Sequence, residues 1–218
     1  MRSLVIWSTF FFFIFWLALV APLWPLFKRK ERTFQELLKS ASVLALSLAG
    51  IRIEVAGLNN LSKDQGYIIA VNHSSFLDNL VLLAKLPISF KFVADEAGFS
   101  LPLMGRIYRS AGYIKTGLRM HLKDTYTLYR ALRQRESVLV YSLVPERGEM
   151  GKFSSALPAF AREAGVPILP VCLKGCSQVL PMNKFILREG RISLRIGESL
   201  PSPDPELLAA RMRELYEI

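Results

Sequence analysis

The chain has 218 residues, a length that suits one domain-sized core, and a composition of 51% hydrophobic and 21% charged residues excludes a disordered or collagen-like chain. Lysine and arginine outnumber aspartate and glutamate by 28 to 18, so the formal charge of +10 favours an anionic partner, nucleic acid or phospholipid, without choosing between them. Cys172 and Cys176 are too few for a disulfide framework, and with only His73 and His121 beside them they leave no zinc-type cluster.

Between Arg2 and Lys28 lie 25 residues without a formal charge, and a helix of that length would rise ~37 Å, enough to cross a bilayer core of ~30 Å. The run exceeds the apolar core of a cleaved secretory signal, and Ala18-Leu19-Val20-Ala21 is a poor cleavage site, so a retained anchor is expected. Pro22, Trp24 and Pro25 suit a kinked exit at the headgroup level. Lys28, Arg29, Lys30 and Arg32 follow, against Arg2 on the other flank, which puts the rest of the chain on the cytoplasmic face, the inner membrane if the source is bacterial. Residues 34–51 read as a second helix, interfacial or packed beside the first; if it spanned, the topology would reverse.

After Gly50 the pattern changes. Short β-rich runs at 51–55, 67–71, 90–94, 138–143, 166–173 and 191–196 alternate with helical stretches at 77–85, 101–110, 120–134, 157–164 and 206–216. That alternation predicts an α/β domain. The organisational boundary falls near residues 50–52, giving membrane-anchoring helices over 1–50 and a globular domain over 51–218.

The most informative stretch runs from the apolar Ile68-Ile69-Ala70-Val71 into Asn72-His73-Ser74-Ser75-Phe76-Leu77-Asp78. If Ser74 or Ser75 caps a helix here, the Asp78 carboxylate in its first turns can return to the His73 imidazole. A carboxylate on one ring nitrogen fixes the tautomer and stabilises the imidazolium, leaving the other nitrogen to take a proton from a hydroxyl. Taken alone, His-x4-Asp more often describes a polar turn followed by a helix-dipole charge, and the blocks that follow are needed to favour catalysis. Neither serine sits in a Gly-x-Ser-x-Gly elbow, so capping is expected of them rather than nucleophilic duty. Cys172 and Cys176 read as packing residues.

The chain from Ile69 to Val171 resembles the glycerolipid acyltransferase family, whose members acylate glycerol phosphate and lysophospholipids. Asn72, His73 and Asp78 match its Asn-His-x4-Asp block. Ala111 to Arg119 partly matches its second block, which ends in a basic residue, leaving Lys115 and Arg119 both as candidates. Pro145 and Glu146 match the Phe-Pro-Glu-Gly-Thr-Arg block, with Arg147 where the family carries glycine and Gly148 one place late. Val166-Pro167-Ile168-Leu169-Pro170-Val171 matches the fourth.

The resemblance implies a central mixed sheet flanked by helices, with an N-terminal membrane helix or two-helix anchor and an acyltransferase domain over 51–218. It also implies transfer of a fatty acyl group from a thioester, acyl-CoA or acyl carrier protein, to the hydroxyl of 1-acyl-glycerol-3-phosphate, forming phosphatidic acid. His73 would be the general base and Asp78 its orienter. Asn72, Lys115, Arg119, Glu146 and Arg147 would contact the acceptor, the cations through charge-assisted bonds to phosphate. No metal or other cofactor is implied. Membrane phospholipid and lysophospholipid are the expected partners; nucleic acid is not, since no recognition motif accompanies the charge. Another lysophospholipid or an aminolipid acceptor, or a non-catalytic lipid-binding protein, remain alternatives at this level.

Overall fold

The computed structural model describes residues 30–116, 122–143, 156–182 and 186–217, with four isolated positions in the first 29. Its elements in chain order are α1 (Lys30–Leu48), β1 (Arg52–Ala56), β2 (Ile68–Asn72), α2 (Leu77–Lys85), β3 (Phe90–Asp95), α3 (Glu96–Ser100), α4 (Pro102–Ser110), β4 (Ile114–Thr116), α5 (Leu122–Arg133), β5 (Ser137–Leu143), α6 (Ala156–Ala164), β6 (Ile168–Lys174), α7 (Cys176–Val179), β7 (Arg191–Ile196) and α8 (Pro205–Glu217). The strands form one sheet in the order β1-β7-β6-β2-β5-β3-β4. β6, β2, β5, β3 and β4 run parallel, β7 is antiparallel to β6, and β1 is parallel to β7, so the sheet is mixed as expected.

β2 is buried along its whole length, which is why it reads as an unbroken apolar run rather than an alternating one: both faces of a central parallel strand are covered. Residue parity then sorts its side chains. Ile69 and Val71 join Leu139, Leu169 and Val171 on one face, beneath Leu77, Val81 and Leu82 of α2 and Cys176 and Val179 of α7. Ile68 and Ala70 lie on the other, beneath Leu128 and Leu132 of α5, Leu157 and Ala161 of α6, and Leu208 and Met212 of α8. The helices that follow β2 and β5 thus cover opposite faces, the arrangement in which open α/β sheets bind ligands at the carboxyl edge of the strands.

Three short elements escape the sequence pattern: α3, β4 and α7 have five, three and four residues, too few to show a period. The helix expected over 34–51 is α1, and one of its faces is part of the α/β body. Phe34 and Leu38 pack with Ile107 and Ala111, and Leu46 enters the core beneath α2. Gln35 Nε2 donates to the Ala111 carbonyl at 2.8 Å and Lys39 Nζ to that of Leu86 at 3.3 Å. The partition expected at residues 50–52 therefore runs between two stretches that share a core. The anchor expected over 3–27 lies outside the described residues, apart from isolated positions; among the described residues no helix is long and apolar enough to cross a membrane.

Candidate active site

β2 delivers its last residues to that carboxyl edge. The ladder between β2 and β5 slips after Val71, so that Val71 faces Tyr141 while Asn72 faces Leu143. His73 comes next, 22% exposed. The chain then turns into α2 through Ser75-Phe76-Leu77-Asp78, which has the Ser-x-x-acid spacing of a capping box. Ser75 Oγ accepts from Leu77 N–H at 3.1 Å, and Asp78 Oδ2 accepts from Ser75 N–H at 2.9 Å. The same Oδ2 accepts from Ser74 N–H at 2.6 Å and from His73 Nδ1–H at 3.0 Å. Asp78 is fully buried, at the N-terminal end of a helix whose dipole favours its charge. The ring nitrogen that Asp78 does not hold, Nε2, is the one left to act on a substrate.

Ser75 is as expected a capping residue: its hydroxyl also donates to the Leu180 carbonyl at 2.6 Å, so both of its hydrogen-bonding roles are taken, and it is 0% exposed. Asn72, expected to contact the acceptor, has its amide engaged within the fold. Its Nδ2 donates to the Leu173 carbonyl and its Oδ1 accepts from Leu173 N–H, each at 2.7 Å, so the amide stands in for ladder bonds between β2 and β6. Lys115 is not brought to His73 either: it pairs with Glu96 at 2.5 Å on β4, three strands from β2, or roughly 14 Å at ~4.8 Å per strand. Arg119, Glu146 and Arg147 lie outside the described residues.

Three neighbours of the pair carry no sequence signal that singles them out. The Tyr141 ring stacks on His73 with centroids 4.1 Å apart, and its hydroxyl donates to Asn79 Oδ1 at 2.7 Å. Burial and then the Asp78 charge push the Tyr141 phenol well above its usual pKa, so it serves as a donor and not as an acid. Cys176, expected to be a packing residue, is 0% exposed and packs beneath α2, but it also lies beside Asp78. Burial first and that carboxylate second hold its thiol far above the ordinary range, hence neutral. Cys172 is pushed up to about 12 by burial, and its thiol donates to the Met212 carbonyl at 3.2 Å. Asp78 Oδ1 is buried without a hydrogen-bond partner among the described residues.

Residues 52–174, from β1 to the end of β6, match the acyltransferase family. A Chlamydomonas reinhardtii protein named 1-acyl-sn-glycerol-3-phosphate acyltransferase is 26% identical over 192 residues, which are 84% of this chain and 57% of its own length. A Pseudomonas aeruginosa protein of the same name is 27% identical over 209 residues, 91% of this chain and 76% of its own. This chain therefore spans little more than half the length of the algal relative. The solved structure of a 1-acyl-sn-glycerophosphate (LPA) acyltransferase from Thermotoga maritima has the same fold, with a TM-score of 0.77 covering 99% of this chain and 94% of that one at 20% identity.

Proposed function

Because this chain belongs to the acyltransferase family, we propose that it moves a fatty acyl group from a thioester to the free hydroxyl of 1-acyl-glycerol-3-phosphate, forming phosphatidic acid. The observation that carries this reading is the His73 Nδ1 to Asp78 Oδ2 bond of 3.0 Å at the carboxyl edge of β2. His73 Nε2 takes the acceptor's hydroxyl proton as that oxygen attacks the thioester carbonyl. The new C–O bond forms, the C–S bond breaks, and the proton held on His73 passes to the departing thiolate. Asp78 steadies the imidazolium throughout. The names of the algal and Pseudomonas relatives support the acceptor.

Arg119, Glu146 and Arg147 are assigned to the acceptor's head, the two arginines through charge-assisted bonds to its phosphate. Their positions in sequence support this. Arg119 comes three residues after the end of β4, and Glu146 three residues after the Leu143 that pairs with Asn72, so both segments depart from the carboxyl edge that presents His73. We place the reaction at a membrane. The uncharged run 3–27 supports it, as do the exposed Val43, Leu44 and Leu48 on α1 and Phe76 three residues from His73, with Lys28, Arg29, Lys30 and Arg32 on the cytoplasmic side.

Purified full-length protein, supplied with labelled acyl-CoA and a panel of lysolipids, tests the reading. Labelled phosphatidic acid from 1-acyl-glycerol-3-phosphate is the expected product. Acylation of a different lysophospholipid or an aminolipid in its place would overturn the acceptor, to which the Arg147 substitution at the family's glycine position is the most relevant departure. Failure with every acceptor, when acyl carrier protein is also tried as donor, would overturn the enzymatic reading.

A further inference from the structure

A single hydrogen bond cannot fix an imidazole. With Nδ1 held by Asp78 at 3.0 Å, the ring can still turn about that contact, and Nε2 would sweep an arc. What limits the turn is on β5. Residues 69 and 71 share one side of β2, residues 139 and 141 share the same side of β5, the ladder sets Val71 opposite Tyr141, and His73 follows directly after the end of β2. Tyr141 therefore lies flat against His73, with centroids 4.1 Å apart and ring planes 23° from parallel.

The tyrosine is itself held on two sides. Its hydroxyl donates to Asn79 Oδ1 at 2.7 Å, on the residue next to Asp78 in α2, and Phe92 of β3 stacks behind it at 6.1 Å. Through Tyr141, β5 and α2 grip the imidazole plane while Asp78 grips its nitrogen. The stack also presents a π face to the ring that becomes an imidazolium when it takes the hydroxyl proton, the interaction by which aromatic rings attract cations.

We propose that Tyr141 is a positioning residue for His73: its ring fixes the imidazole plane so that Nε2 meets the acceptor hydroxyl, and its face stabilises the charge that forms there. This rests on His73 being the base, and the tests separate the two. Tyr141→Leu should lower kcat on the order of tenfold, the scale of a slightly misplaced catalytic group, with both Michaelis constants within about twofold of wild type. Tyr141→Phe, which keeps the ring, should retain at least about half of kcat. If the leucine variant does not fold, Tyr141→Met takes its place, with the same kcat expected.

A second readout needs no turnover. The chain has two histidines, so imidazole labelled with 13C at Cε1 gives two resonances in detergent-solubilised full-length protein, assigned with His121→Gln. The His73 resonance should lie upfield through the Tyr141 ring current, stay there in Tyr141→Phe, and move downfield in Tyr141→Leu or Tyr141→Met. An unchanged kcat without the aromatic ring overturns the proposal, as does Tyr141→Phe losing as much as Tyr141→Leu, or the absence of the upfield shift in wild type. Those results leave the base reading intact if His73→Ala is inactive. Activity retained in His73→Ala removes the base and, with it, a catalytic role for the stack.

Discussion

Asp78 does two jobs with one oxygen. Oδ2 closes the capping box on Ser75 N–H and receives His73 Nδ1–H, so the turn that starts α2 is also the device that orients the imidazole. His73→Ala and Asp78→Ala should each lower the rate of acyl transfer on the order of 100- to 10,000-fold. They should differ in stability, because only Asp78→Ala also opens the box and frees Ser74 and Ser75 N–H, at about 1 kcal/mol or more. Acyl-transfer assays beside urea denaturation separate the two effects. Asn72 makes the opposite case. Asn72→Ala would leave the buried N–H and carbonyl of Leu173 without their side-chain partner and should destabilise the fold by about 1–3 kcal/mol, read from the urea midpoint. The capping box is legible in the sequence because its groups are at most five residues apart. The Asn72 contact is not, because Leu173 is 101 residues away and nothing local marks it.

Helix α1 shows where an amphipathic pattern stops being informative. Its periodicity predicts a helix, yet the same stripe could serve an interface, a neighbouring helix or the domain's own core. The structure buries Phe34, Leu38 and Leu46 in the body and leaves Val43, Leu44 and Leu48 exposed. A charge cluster helps seat it. Lys91 of β3 pairs with Glu31 of α1 at 3.1 Å and with Glu136 before β5 at 2.9 Å. Burial tends to lower the Lys91 pKa, but the hydrogen bonds and charges of Glu136 and Glu31 outweigh it, and the net direction is upward. A lysine raised in the folded state contributes stability that is complete below the unfolded value of ~10.4 and is lost as pH rises through the folded value. Both glutamates are nearly half exposed, so the contribution is no more than about 1 kcal/mol. Urea midpoints of wild type and Lys91→Met should differ at pH 8, and the gap should narrow as pH rises past the unfolded value of ~10.4; a constant gap would assign the difference to packing.

At the scale of the whole molecule, the uncharged run 3–27 and the body act together if the lipid acceptor is to reach His73. A retained anchor predicts an intact mass that includes the first 27 residues and a chain that stays with membranes through alkaline carbonate extraction. A mature chain lacking those residues, or one released by carbonate, would contradict it. The α/β alternation and the longer strands and helices follow from the sequence alone, since periodicity depends on groups close along the chain, while the His73–Asp78 pair is legible there once its local spacing is set beside the ordered blocks of the family. The strand order, the bulge after Val71, and the gathering of Tyr141, Asn79 and Cys176 around that pair were decided by tertiary structure. They depend on which distant strand pairs with which, and register is an energy of packed faces that no local stretch of residues contains.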